Sequence, residues 1–212
     1  LDAIFSALKE CNMNAVGVAF HVGSGNRSVS AYDGAIASAK VVFDKAKEYG
    51  FFMNLLDLGG GWAGLLGENE LNNPILDDAA AVVNNALEKY GFNEVKDLKI
   101  ISEPGRYFNE RTISVGCTVT EVVRRGDRFI YRLNEGVRGV FKDLLLCGLD
   151  FRVIPLKRDG LDLEKKCPSS IIGPSGRKND VIVEDMELPE MKVGDHILFT
   201  RMGAYTVSLS SL

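Results

Sequence analysis

Apolar residues recur at two spacings in the first hundred positions. Ile4, Phe5 and Leu8 follow a helical period over residues 2–10, and Ala15 to Phe20 is then a short continuous apolar run, the pattern of a strand buried on both faces. Residues 30–49 return to the helical period: Ala31, Ala35, Ala39, Val42 and Ala46 fall on one side, with Ser30 placed to cap the start and Gly50 to stop the end. Met53 to Leu58 predicts the next buried strand, Asp77 to Tyr90 an amphipathic helix ending at Gly91, and Leu98 to Ser102 a third apolar strand. Strands separated by helices of this length pair in parallel through right-handed crossovers, so this part of the chain is α/β, an open sheet or a barrel.

Past about residue 110 the period shortens. Ile113 to Val123, Arg128 to Leu133, His196 to Thr200 and Tyr205 to Leu209 are β-branched or alternating runs, separated by turns such as Arg125-Gly126-Asp127. They predict a mostly antiparallel sheet. The boundary falls near residue 107, giving an α/β unit over 1–107 and a β unit over 108–212. The charged stretch 157–170, with Lys157, Arg158, Lys165 and Lys166 among acids, reads as a solvated loop.

Composition narrows the function classes. The 212 residues are 46% hydrophobic and 25% charged with a net charge of −4, which is ordinary for a soluble globular protein. Lys+Arg 25 against Asp+Glu 29 leaves no basic stripe to attract a phosphate backbone, so nucleic acid is not the expected partner. No apolar run approaches the roughly 18 residues of a membrane helix. Cys11, Cys117, Cys147 and Cys167 are far apart with no CxxC pair. Neither a metal site nor a disulfide framework is expected, and a reducing, cytoplasmic setting fits. The Asn26-Arg27-Ser28 sequon would matter only in a secreted protein. The chain opens in a helical pattern and stops straight after a strand-like run, as a piece of something longer would.

Three segments that could carry chemistry each follow a predicted buried strand: His21-Val22-Gly23-Ser24-Gly25, Asp57-Leu58-Gly59-Gly60-Gly61 and Ser102-Glu103-Pro104-Gly105-Arg106. Ligands of parallel α/β folds bind at the carboxyl ends of strands, so three such loops point to one shared site. Glycines let backbone N–H groups close on an anion, which suits a phosphate. Gly59 to Gly64 also resembles a dinucleotide fingerprint, but the acids at the expected distance, Asp77 and Asp78, open a helix instead of ending a strand. His21 is either a buried structural imidazole or a site residue. Glu103 and Arg106, flanking Pro104-Gly105, are either a structural ion pair or a carboxylate suited to a protonated ring nitrogen beside a guanidinium suited to a phosphate.

These segments, with Gly173-Pro174-Ser175, Leu188-Pro189-Glu190-Met191-Lys192-Val193-Gly194-Asp195 and Met202-Gly203-Ala204-Tyr205-Thr206, resemble the eukaryotic ornithine decarboxylase and antizyme inhibitor family in order and spacing over essentially the whole chain. The resemblance implies the C-terminal part of a pyridoxal-phosphate-binding (β/α)8 barrel over 1–107, followed by a truncated, mostly antiparallel β domain over 108–212. It implies a pyridoxal 5'-phosphate-dependent amino-acid decarboxylase of polyamine-biosynthesis type, cytoplasmic and homodimeric with shared active sites. Its substrate is an amino acid, taken as a small molecule, and antizyme is a partner to consider. By resemblance His21 stacks on the cofactor ring, Ser24, Gly59, Gly60, Gly61, Arg106 and Tyr205 hold the phosphate, and Glu103 pairs with the pyridine nitrogen. Glu103 and His21 are the implied catalytic positions, while Asp57 reads as a strand-end structural acid. The lysine that bonds the cofactor in the family falls ahead of residue 1.

The substrate side departs from the pattern. After Gly-Pro-Ser/Thr the family has a cysteine that helps protonate the product and an aspartate that binds the distal amine; here Gly176 and Arg177 stand there. Glycine donates no proton, and a fixed cation repels an ammonium. A second substrate aspartate aligns with Cys147, with Asp150 as a substitute, and the family's tyrosine in that stretch is Arg138. Three readings follow. One is a decarboxylase whose Arg177 and Arg138 favour an acidic or neutral side chain over ornithine. The second is a catalytically impaired regulator resembling antizyme inhibitor. In the third, Gly176 and Arg177 form a solvated turn and the proton donor is Cys167 or Cys147.

Overall fold

The structure, a computed structural model, describes residues 1–64, 74–146, 148 and 151–211. The chain divides into two compact units, Leu1–Tyr107 and Phe108–Leu212, each with its own apolar core.

In the first unit, helix α1 (Asp2–Glu10) precedes strand β1 (Gly17–Ala19), helix α2 (Ser30–Glu48), strand β2 (Leu55–Asp57), helix α3 (Pro74–Lys89) and strand β3 (Lys99–Ile101). The strands pair in parallel in the order β1-β2-β3, with Val18 opposite Leu56 and Leu56 opposite Ile100. The crossover helices are held by their apolar stripes. Ile36, Ala39, Phe43 and Ala46 of α2 are buried at helical spacing and meet Val83 and Ala86 of α3 over the fully buried Leu56. Gly50 ends α2 in a left-handed conformation (φ 77°), so that Phe51 N–H reaches Ala46 O and Gly50 N–H reaches Lys47 O. The start differs from expectation: Ser30 lies inside the helix, and Val29 occupies the cap position without a side-chain hydrogen bond. The expected strands 15–20 and 98–102 also shorten to three residues each, and Ile100 and Ile101 are exposed instead of buried.

A short helix, α4 (Gly105–Asn109), follows β3. The second unit then runs through strands β4 (Val115–Arg125) and β5 (Arg128–Leu133), helix α5 (Asp143–Leu146), and strands β6 (Arg152–Pro155), β7 (Lys166–Ile172), β8 (Val181–Pro189) and β9 (His196–Thr200). The sheet order is β6-β9-β4-β5-β7-β8, antiparallel except for the β5–β7 pair. β5 alternates strictly: Phe129, Tyr131 and Leu133 are buried and the residues between them are half-exposed. Phe141, Phe151 and Phe199 pack edge to face, with Phe141 and Phe199 at 4.7 Å.

Two stretches fold otherwise than their patterns predict. Lys166–Ile172 is a strand, and Arg158 is tied to Asp195, so 157–170 is not a solvated loop throughout. Tyr205 to Leu209 is not a strand: Tyr205 is left-handed (φ 57°) and Val207–Leu209 forms a 3₁₀ turn. No helix among the described residues is long and apolar enough to cross a membrane.

Candidate functional site

The parallel register of the first unit brings the three carboxyl-end loops together. Phe20 N–H donates to Asp57 O (3.2 Å) and Leu58 N–H to Ile101 O (2.9 Å), which carries the pairing one residue beyond each strand. Asp57 then turns its carboxylate back on its own loop and accepts Gly59 N–H at 2.8 Å. Gly59 O accepts both Glu103 N–H (2.9 Å) and the Trp62 indole N–H (2.9 Å), locking the second loop to the third. Asp57 is therefore the structural acid its position suggests, and Trp62 is a loop clamp that the sequence reading did not single out.

Close approach explains the glycines. A Cβ on Gly59 would lie 1.7 Å from Phe20 O, and one on Gly61 would lie 2.6 Å from Gly23 O. The cluster that results contains His21, Ser24, Gly59, Gly60, Gly61, Glu103 and Arg106. His21 is exposed, which removes the buried structural imidazole as an account of it. Its Nδ1 accepts the Gly23 N–H at 2.9 Å. Arg106, on α4, is buried, and its Nε donates to Ser24 Oγ at 3.0 Å. A guanidinium, a hydroxyl and a glycine loop form a donor set for a phosphate, while Glu103 and the His21 ring offer a carboxylate and an aromatic face on adjoining loops. Asp77 and Asp78 lie in α3. The Asn26 carboxamide is tied to Ser28, its Oδ1 accepting Ser28 N–H at 3.0 Å.

The residues expected on the substrate side lie in the second unit. Gly176 (φ 68°) and Arg177 sit in the exposed turn between β7 and β8, where Arg177 N–H donates to Ser175 Oγ at 3.3 Å. Beside this turn a cavity of about 460 Å³ is lined by Glu135, Arg138, Ser175 and Asp180, among others. Asp180, which the sequence reading did not single out, organises the wall: it is buried and accepts Val137 N–H (2.9 Å) and Ser175 N–H (3.0 Å). Burial pushes its carboxyl up, but hydrogen bonds from the Ser175 hydroxyl and from the backbone at Val137 and Ser175, with the charge of Arg138, bring it below the usual carboxylate range. Arg138 and Arg177 are exposed. Tyr205 belongs to this unit as well. Cys147 and Asp150 lie outside the described residues. Cys167 is half-buried on β7, and burial pushes the Cys117 thiol up to about 12, which makes it inert. No group of three or more His, Cys, Asp or Glu able to hold a metal occurs among the described residues.

Comparison with known proteins bears on this geometry. Residues 1–110 match the family described as pyridoxal-dependent decarboxylase, pyridoxal binding domain. The ornithine decarboxylase of Cricetulus griseus is 39% identical over 214 residues, spanning 96% of this chain and 46% of the relative. Antizyme inhibitor 2 of Xenopus laevis is 37% identical over 215 residues with the same coverage. The arginine decarboxylase of Paramecium bursaria Chlorella virus bound to agmatine superposes with a TM-score of 0.84 at 30% identity, covering 99% of this chain and 54% of that one. The chain thus spans about half the length of the relatives it matches.

Proposed function

We propose a function from one premise: this chain belongs to the pyridoxal-dependent decarboxylase family. Its fold is α/β, part of a pyridoxal-binding barrel followed by a mostly antiparallel β domain. Our reading is that the full-length protein binds pyridoxal 5'-phosphate and removes the α-carboxylate of an amino acid. The observation that carries it is the cluster of three loops, in which the Arg106–Ser24 pair lies beside Gly59 to Gly61 and the exposed His21 and Glu103 side chains.

These residues fit the cofactor. Arg106 and Ser24 would bind the phosphate together with the glycine-loop N–H groups. His21 would lay its ring against the cofactor ring. Glu103 would hold a proton at the pyridine nitrogen, since a carboxylate beside it favours the charged form. Pyridoxal phosphate, when bound, supplies the sink for the electron pair released as carbon dioxide leaves.

On the substrate side, Arg138 and Arg177 are cations where the resemblance implies a tyrosine and an aspartate. A fixed cation repels a side-chain ammonium, so an acidic or neutral side chain is favoured over ornithine. We read the active form as a cytoplasmic homodimer that shares its sites. The test is carbon dioxide release by the full-length protein from ornithine, lysine, arginine, leucine and glutamate. Preference for leucine or glutamate supports the reading; ornithine as best substrate by a wide margin overturns the selectivity part.

A second reading has its own support: the antizyme inhibitor of Xenopus laevis is nearly as similar as the decarboxylase of Cricetulus griseus, 37% against 39%. A regulator of that kind would release no carbon dioxide from any amino acid and would be retained by antizyme in a pull-down.

A further inference from the structure

The three glycines after β2 are not equivalent. The atoms that a Cβ would strike at Gly59 and Gly61 are foremost the carbonyl oxygens of Phe20, at 1.7 Å, and Gly23, at 2.6 Å. Both oxygens are backbone, Gly23 O accepting Asn26 N–H at 3.2 Å, and cannot yield as cheaply as the far end of a side chain. At Gly60 the nearest atoms are His21 Nε2 at 2.6 Å and His21 Cδ2 at 3.0 Å, with Glu103 O third at 3.3 Å. The far end of a side chain can swing away where a backbone carbonyl cannot. Gly59 and Gly61 have φ of 57° and 102°, whereas Gly60 is not among the positive-φ residues, so its backbone accepts an alanine. The missing side chain at Gly60 leaves room first of all for the edge of the His21 ring, with the Glu103 carbonyl next at 3.3 Å.

The opposite edge of that ring is also held. Nδ1 accepts the Gly23 N–H at 2.9 Å, and a nitrogen that accepts carries no proton. The neutral imidazole must then carry its proton on Nε2. We propose that Gly60 is a positioning residue for His21, and that Gly23 N–H fixes His21 as the Nε2-protonated neutral tautomer. The inference rests on the reading that His21 lies against the cofactor ring. It gives that contact a physical basis: an exposed ring held at both edges loses little freedom on stacking, and a neutral imidazole does not repel a pyridine ring protonated by Glu103.

Long-range proton–nitrogen correlation spectra of the ¹⁵N-labelled full-length protein without cofactor, at alkaline pH where imidazole is neutral, read the tautomer directly. A bare Nδ1 and a protonated Nε2 are expected; an Nδ1-protonated ring or an even mixture overturns the assignment. This result does not depend on cofactor binding, so it stands or falls apart from the proposed function. In Gly60→Ala the His21 ring resonances should move and pyridoxal phosphate should bind roughly tenfold more weakly, the scale of an overpacked contact. The melting temperature should stay near the parent's. Gly34→Ala on α2, with no atom within 4 Å of the added Cβ, should leave the His21 resonances and cofactor binding unchanged and only raise the melting temperature, alanine being the better helix former. Unmoved His21 resonances in Gly60→Ala, or equal shifts in Gly34→Ala, overturn the positioning role.

Discussion

The two units differ in which polar side chains they leave exposed. In the first, Glu103 and His21 stay exposed at the strand ends while Asp57 and Trp62 tie the glycine loop through Gly59. In the second, Asp180 and Asp195 turn inward. Asp180 is spent on the N–H groups of Val137 and Ser175, and Asp195 on Lys192 N–H (2.8 Å) and on Arg158, whose Nη2 donates at 3.0 Å. The cations Arg138 and Arg177 are left facing solvent. A buried carboxylate turned onto its own backbone shapes a wall, whereas an exposed side chain at a strand end is open to a ligand.

The contrast can be broken by substitution. The largest effect is expected at Gly59→Ala, whose Cβ would strike the Phe20 carbonyl: a loss of about 3 kcal/mol, read by urea denaturation. Asp180→Ala should come next, at roughly 2–3 kcal/mol, because it orphans the N–H donors of Val137 and Ser175.

Acid offers a graded version of the same contrast. Burial raises the Asp195 carboxyl, but hydrogen bonding to Arg158 and to Lys192 N–H brings it below its ordinary 3.8, and Asp180 is likewise lowered. A lowered folded value means that the stabilisation is complete above the unfolded value of 3.8 and is lost as pH falls through the folded one. The second unit should therefore lose stability as pH drops below about 4. Asp195→Asn should flatten that slope, as followed by fluorescence during acid titration.

The smallest effect on stability is expected in the exposed turn. Arg177→Asp should stay within about 0.5 kcal/mol, while Gly176→Cys costs about 1 kcal/mol for a side chain at φ 68°. The pair should nevertheless raise ornithine turnover relative to the parent if these positions set selectivity; unchanged turnover places the block elsewhere.

How much of this was legible in the sequence depended on the range of the interactions. Alternation in Arg128–Leu133 and the helical stripe of 30–49 are local signals, and both elements stand where those signals put them, apart from the missing Ser30 cap. Tyr205 to Leu209 also alternates, yet the left-handed Tyr205 turns the chain away from the sheet. The three loops could be seen to share a site because parallel strands deliver their carboxyl ends to one side. Trp62 and Asp180 were not visible as organisers, since each acts through backbone groups, and those that Asp180 binds belong partly to a distant stretch: Val137 is 43 positions away. The different roles of Gly59, Gly60 and Gly61 were hidden for the same reason, as only the fold shows what each missing Cβ would meet.

The central claim is that the loops after β1, β2 and β3 hold pyridoxal phosphate. It is tested most directly by spectrophotometric titration of the full-length protein with pyridoxal phosphate, beside its Arg106→Ala variant. The account predicts saturable binding by the parent with a shifted absorbance band, and binding weakened by roughly tenfold or more in the variant, the scale of a lost charge-assisted contact. A parent that stays colourless after reconstitution, or a variant that binds equally well, would contradict it.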